Sequence, residues 1–304
     1  MSDIKKYQGV FPAFYACYED DGSVSPARTR ALAKYLLEKG VKGLYVGGSS
    51  GECIYQSVAE RKVILENVMA EVGGKMTIIA HVACNNTADS QELARHAESL
   101  GVDAIASMPP IYFHLPPYGI AQYWNDISAA APNTDFIIYN IPQLAGVSLT
   151  IPLLREMKKN PRVIGVKNSS MPTQDIQMWK DEGGPDFVVM NGPDEQFISG
   201  LAMGATGGIG GTYAVMPELY LKVMDLYQAG EMKLAAEIQN EICRIIYKMC
   251  SAHGNLYAVM KAILKKHGMD IGSVRKPLPA LVDSDLAVVD EASAMIDAAI
   301  AKYC

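Results

Sequence analysis

The chain has 304 residues, 49% of them hydrophobic and 20% charged, with a net charge of −6. That is enough apolar material for one large globular domain, or for a domain with a modest extension. The mildly acidic balance, with no long basic run, excludes a nucleic-acid surface.

No apolar stretch reaches the ~18 residues of a spanning helix, so no membrane partner is expected. The opening MSDIKKYQGV has no apolar signal-peptide core. Six cysteines and five histidines are scattered without CxxC or metal-ligand spacing. The expectation is a reduced, cytoplasmic protein with no structural metal.

In chain order, one pattern repeats: a short β-rich run ends in Gly, Ser, Asn or Pro, and an amphipathic helix follows. The runs are GVFPAFYAC (9–17), GLYVGGS (43–49), TIIAHVA (77–83), AIASMPP (104–110), DFIIYNIP (135–142), VIGVKNSS (163–170), FVVMNGPDE (187–195) and GGIGGTYA (207–214). In the helical segments 27–40, 58–72 and 89–101, apolar residues recur three and four apart. Gly40 and Gly101 stand where C-terminal caps belong. Apolar strands alternating with helices predict a parallel sheet covered on both faces. Eight units in roughly 220 residues fit a closed (β/α)8 TIM barrel. An open doubly wound sheet would carry a phosphate loop early, and neither GxGxxG nor GK[ST] occurs there. The segment GATGGIGG (204–211) reads as close backbone packing at a strand start. Beyond residue 225 the alternation stops and three more helices follow. We therefore expect a barrel over 1–225 and a C-terminal helical extension over 226–304, packed on the barrel or at a subunit interface.

Chemistry in such a barrel sits at the C-terminal ends of the strands. Those ends carry Gly48, Ser49, Ser50 and Glu52 on the second strand, Tyr112 beyond the fourth and Tyr139 on the fifth. Lys167 and Ser169 end the sixth, and Gly192, Asp194 and Glu195 the seventh. Strand alternation puts Lys167 on one face with Gly165 and Val163, leaving Ile164 and Val166 on the other. Tyr139 shares its phase with Ile137, so neighbouring strands set a phenol beside an amine. Burial lowers the pKa of a lysine and frees a nucleophilic amine, which condenses with a ketone to a Schiff base. A nearby tyrosine hydroxyl shuttles protons. Ser49 and Ser50, framed by glycines, offer hydroxyls and backbone N–H groups to a carboxylate. Together these groups describe a 2-oxo-acid site. A barrel glycosidase would need a second carboxyl group, and strands four to six end in MPPIYF, YNIP and KNSS, without one.

GGSSGE, YNIP, GVKNSS and NGPDE, in this order and spacing, resemble the motifs of the pyruvate-dependent class I aldolase/lyase family that includes dihydrodipicolinate synthase and N-acetylneuraminate lyase. The resemblance runs from about residue 7 to the C-terminus, and within the family the chain is most similar to the lyases. It implies reversible cleavage of N-acetylneuraminate (sialic acid) to N-acetylmannosamine and pyruvate, without metal or organic cofactor, in a homotetramer. It further implies that Lys167 forms the Schiff base and Tyr139 transfers the proton. Ser49 and Ser50, with Gly48 nearby, would hold the pyruvate carboxylate. Gly192, Asp194, Glu195 and Ser169 would bind the sugar hydroxyls, and Tyr112 would stand at the tight-dimer contact near the neighbouring active site. Dihydrodipicolinate synthases typically carry an arginine where this chain has Leu144, which favours a neutral sugar over a second carboxylate; a 2-keto-3-deoxy sugar acid aldolase is the other alternative. Gly211 and Pro193 depart from the lyase pattern, which commonly has a serine and an aromatic residue there.

Overall fold

The computed structural model describes residues 3–304. Eight strands follow the expected runs: β1 (Gly9–Pro12), β2 (Gly43–Val46), β3 (Thr77–His81), β4 (Ala104–Ser107), β5 (Asp135–Asn140), β6 (Val163–Asn168), β7 (Val188–Asn191) and β8 (Gly207–Gly210). All neighbouring strands pair in parallel, in the order 1-8-7-6-5-4-3-2. The two ends of that series meet through a parallel bridge between Ala13 and Tyr45, where the Phe14 N–H donates to the Tyr45 carbonyl at 2.9 Å. The sheet therefore closes on itself as a (β/α)8 TIM barrel.

The helices begin and end where local chemistry directs. α1 (Pro26–Glu38) starts on a Ser25 cap with proline in its first turn, and α2 (Val58–Val72) on a reciprocal capping box between Ser57 and Glu60. α3 (Thr87–Ser99) is capped by Asn86. The outer layer continues with α4 (Pro117–Ala130), the single turn α5 (Pro142–Ala145), α6 (Ile151–Met157), α7 (Gln174–Gly183), α8 (Phe197–Ala202) and α9 (Pro217–Gln228). Three further helices, α10 (Met232–Met249), α11 (Leu256–Lys266) and α12 (Leu286–Tyr303), complete the chain. Their buried faces, including Ile242, Met260 and Ile296, join the same apolar cluster that lies between strands and helices.

A second cluster fills the barrel itself, with Phe11, Tyr45, Ile79, Ile137, Tyr139 and Met190 among its members. At the N-terminal end, Tyr7 plugs the barrel and donates to the Asp103 carbonyl and the Asp135 carboxylate at 2.7 and 2.8 Å. Within 204–211, Gly207 serves close packing, since a Cβ on it would collide with the backbone of Gly9 on the paired strand.

One detail of phase differs from the expectation. Val163 packs in the outer cluster and Ile164 against the inner one, the reverse of simple alternation. The β5–β6 register steps from Phe136↔Val163 to Ile137↔Gly165, which leaves Ile164 as a bulge. An extra residue in one strand flips the phase beyond it. Gly165 and Lys167 keep the phase expected of them because alternation resumes after the bulge.

Candidate active site

Lys167 and Tyr139 are direct register partners on β6 and β5. Both are buried, at 4% and 3% exposure. The ammonium nitrogen stands 3.9 Å from the centre of the Tyr139 ring and 4.1 Å from that of Tyr45. No salt bridge satisfies it among the described residues. Ring faces favour a cation by about 0.5–2 kcal/mol, and the charge of the Asp194 carboxylate acts in the same sense. Loss of water costs several kcal/mol per buried ion and prevails, bringing the Lys167 pKa down to about 7. A substantial share of this amine is therefore unprotonated at neutral pH.

Burial acts oppositely on the phenol. Tyr139 is pushed up to about 12, although hydrogen bonding from Ser49 and Ser169 pulls it back. It stands as a neutral hydroxyl, able to pass a proton on but not to hold a standing negative charge.

The GGSSG segment forms a one-turn 3-10 helix, Ser49–Gly51, directly beyond β2. The N–H groups of Gly51, Glu52 and Cys53 bond back to carbonyls of the same turn. That narrows the donors available to a ligand to the two serines. Ser50 is buried and Ser49 half-buried. Gly48 lies under the turn, where a Cβ would press into the Tyr45 ring.

Across the mouth, Asp194 and Glu195 sit in a 3-10 turn after β7. Asp194 is buried and accepts two hydrogen bonds at 2.6 Å on Oδ2, from the Thr212 N–H and hydroxyl. Desolvation raises its carboxyl to about 6 in spite of them. Glu195 is exposed. The Gly192 N–H donates to the Asn168 carbonyl at 2.8 Å, and the residue leaves no room for a side chain against Ser169. Gly211 faces Ser50, 3.2 Å from a Cβ placed on it to the serine Oγ. Tyr112 stands apart from this buried set: it is 87% exposed, with φ of 83° and an edge contact to Phe113.

Three residues of the site were absent from the sequence reading. Tyr45 and His81 pack with Tyr139 as three mutually contacting rings beneath the amine, 5.8–6.0 Å between centres. Burial and the Arg61 charge bring His81 down to about 3, so it is neutral. Both lie in inward phase near the ends of their strands, Tyr45 on β2 and His81 two residues beyond the inward Ile79 on β3, and that phase was the available signal. The third, Tyr257, arrives from α11, beside Gly211 and within hydrogen-bonding reach of Ser50. It carries no mark among the apolar residues of its helix. Among the described residues, no group of three His, Cys, Asp or Glu side chains is placed to hold a metal ion.

A model of the dihydrodipicolinate synthetase family matches residues 6–294. The chain belongs to that family. Across the family, it is 66% identical over 304 residues to an N-acetylneuraminate lyase of Mediterraneibacter gnavus, covering 100% of this chain and 96% of the relative. An N-acetylneuraminate lyase of Escherichia coli is 35% identical over 276 residues, 89% of this chain and 90% of that one. Among solved structures, a catalytic lysine mutant of Ruminococcus gnavus sialic acid aldolase superposes with a TM-score of 0.99 at 65% identity, covering 100% of both chains.

Proposed function

We propose that this chain is a Schiff-base lyase that reversibly cleaves N-acetylneuraminate to N-acetylmannosamine and pyruvate. The observation that carries the reading is the Lys167 amine, buried without an ion-pair partner among the described residues, walled by two phenol rings and brought to about 7. The full-length likeness to lyases supports the substrate, and the solved R. gnavus relative works through a catalytic lysine.

In this reading the unprotonated Lys167 amine attacks the C2 ketone of the open-chain sugar acid. Protonation of the carbinolamine hydroxyl and its departure as water leave an iminium. Ser49 and Ser50 hold the carboxylate through their hydroxyls. The C4 hydroxyl proton moves to Tyr139, which hands its own proton to the substrate carboxylate because burial denies it a standing phenolate. The C3–C4 bond breaks, its electron pair passes to the iminium, and N-acetylmannosamine leaves as the aldehyde. The remaining enamine takes at C3 the proton held on the substrate carboxyl group, and water releases pyruvate and the free amine.

Asp194, Glu195, Gly192 and Ser169 face the sugar chain, and Gly211 leaves space beside Ser50. Leu144, 59% exposed, offers no cation to a second carboxylate, which weighs for a neutral sugar. Tyr112, Phe113 and Tyr118 are 73–87% exposed, which supports a homotetramer in which Tyr112 approaches a neighbouring copy's site. Six free cysteines support a reducing, cytoplasmic setting, and no helix among the described residues is long and apolar enough to cross a membrane.

Borohydride trapping with N-acetylneuraminate as the sole carbonyl compound, followed by peptide mass mapping, tests the reading. The expected adduct lies on Lys167. An adduct with pyruvate alone would keep the aldolase chemistry and reject the sugar, and no adduct with either would reject both.

A further inference from the structure

The residue that follows the serine turn is tied to the C-terminal helices by a buried charge pair that the chemistry above leaves unused. Lys261 of α11 donates from Nζ to Oε1 of Glu52 at 2.7 Å, and the two side chains are 1% and 0% exposed. The same ammonium donates to the Ser273 carbonyl at 2.8 Å and lies 4.8 Å from the centre of the Tyr18 ring. The other Glu52 oxygen accepts the Arg275 N–H at 2.9 Å. Both carboxylate oxygens are thus held from the 261–275 segment. Arg275 adds a second tie, its guanidinium reaching the carbonyls of Tyr55 and Gly22 and the Glu60 carboxylate at 2.7–3.0 Å.

Glu52 has φ of 55° and ψ of 31°, a left-handed conformation that a Cβ disfavours and glycine adopts freely. At this position glycine would suit the backbone better, so the side chain must bring something glycine lacks. The turn before it is Gly47–Gly48–Ser49–Ser50–Gly51, with few side chains to brace its own shape. Its form depends on backbone bonds that include the Glu52 N–H to the Ser49 carbonyl at 2.9 Å. Fixing the Glu52 carboxylate from outside fixes that N–H, and with it the direction of both serine hydroxyls.

We propose that Glu52 and Lys261 are positioning residues for the oxo-acid carboxylate: their buried pair locks the left-handed residue that aims Ser49 and Ser50. The inference rests on the reading of the serine turn as the carboxylate subsite.

The test uses the full chain with both charges removed together, Glu52→Gln with Lys261→Met, so that neither partner is left buried alone. Steady-state aldol synthesis with varied pyruvate is measured, together with borohydride trapping on Lys167 by pyruvate and by hydroxyacetone, a ketone without a carboxylate. The KM for pyruvate should rise at least about tenfold, with kcat falling less than about threefold. Trapping by pyruvate should weaken while trapping by hydroxyacetone keeps its wild-type rate. Glu52→Gly combined with Lys261→Met, which relaxes the backbone and removes the tie without stranding a buried ammonium, should show the same split. An unchanged KM overturns the proposal, as does an equal loss with both ketones. Loss of the folded state in the double variant would assign the pair to stability and also overturn it. A wild-type protein that forms no pyruvate adduct would instead sink the aldolase reading on which the proposal stands.

Discussion

Lys167 and Lys261 are both almost sealed from solvent, at 4% and 1% exposure, and desolvation presses down on the pKa of each. They differ in what stands opposite the nitrogen. Lys261 has a carboxylate at 2.7 Å and a carbonyl at 2.8 Å, and the Glu52 charge opposes the desolvation. Lys167 has two aromatic faces and, farther off, the Asp194 carboxylate. Burial by itself makes neither a nucleophile nor a strut. A hydrogen-bonded counter-charge keeps a buried lysine cationic and structural, and its absence at the end of a barrel strand leaves a reactive amine.

The sharpest way to break that contrast is to remove each lysine in turn. Lys167→Ala should lower cleavage by at least about 10⁴-fold, the scale of losing a covalent nucleophile, while the protein stays folded by circular dichroism. Near-wild-type turnover in a lyase assay would remove Lys167 from the chemistry. Lys261→Met should do the opposite, destabilising the protein by about 3–5 kcal/mol because a buried carboxylate loses its cation. Denaturant unfolding reads this directly, and the Glu52→Gln/Lys261→Met double variant should recover part of the loss. A double-variant loss equal to the sum of the Glu52→Gln and Lys261→Met losses would mean that the pair is not coupled.

Tyr139→Phe separates proton transfer from imine formation. Turnover should fall by about 10²-fold or more, with the Lys167 adduct still trapped by borohydride. Loss of the adduct as well would place the hydroxyl in amine attack.

The contrast also predicts pH behaviour. Below pH 7 both folded and unfolded chains hold the Lys167 proton, and the folded state bears the full cost of the buried ammonium. Between about 7 and the unfolded value near 10.5 the unfolded chain binds the extra proton, so stability rises with pH across this window. Lys167→Met should therefore melt above the wild type at pH 7, and that lead should shrink by about 5 °C toward pH 10. A gap that does not change with pH would show that Lys167 titrates normally. In the same direction, kcat/KM for pyruvate should climb as the pH passes through about 7.

Much of this is legible in the amino-acid sequence. Strand and helix periods gave eight units, and the phase of two strand ends paired Tyr139 with Lys167, because alternation and adjacency are local rules. The Ile164 bulge was not legible, since nothing in VIGVKNSS marks where a strand takes an extra residue. Glu52 stood inside a recognised motif, yet its partner lies 209 residues away on a helix whose pattern speaks only of an apolar face. Tyr45 and His81 are a different case: they obeyed the same inward phase as their neighbours, but a single ring in an apolar run reads first as core, which they also are.

The smallest effect is expected where this chain departs from the lyase pattern. Gly211 has φ of −71° and ψ of −35°, so a side chain meets no backbone penalty there. A Cβ would lie 3.2 Å from the Ser50 hydroxyl and 4.0 Å from the Tyr257 ring. Ser50 can yield by a few tenths of an ångström, and a serine hydroxyl would then stand between the carboxylate subsite and Tyr257. Gly211→Ser should cost under about 1 kcal/mol of stability and change the KM for N-acetylneuraminate by about two- to fivefold, leaving the KM for pyruvate nearly alone. If the KM for pyruvate moves as much, Gly211 belongs to the carboxylate side of the site. The space beside it would then not be a sugar pocket, and Tyr257 rather than Gly211 would mark the border between the two halves of the substrate.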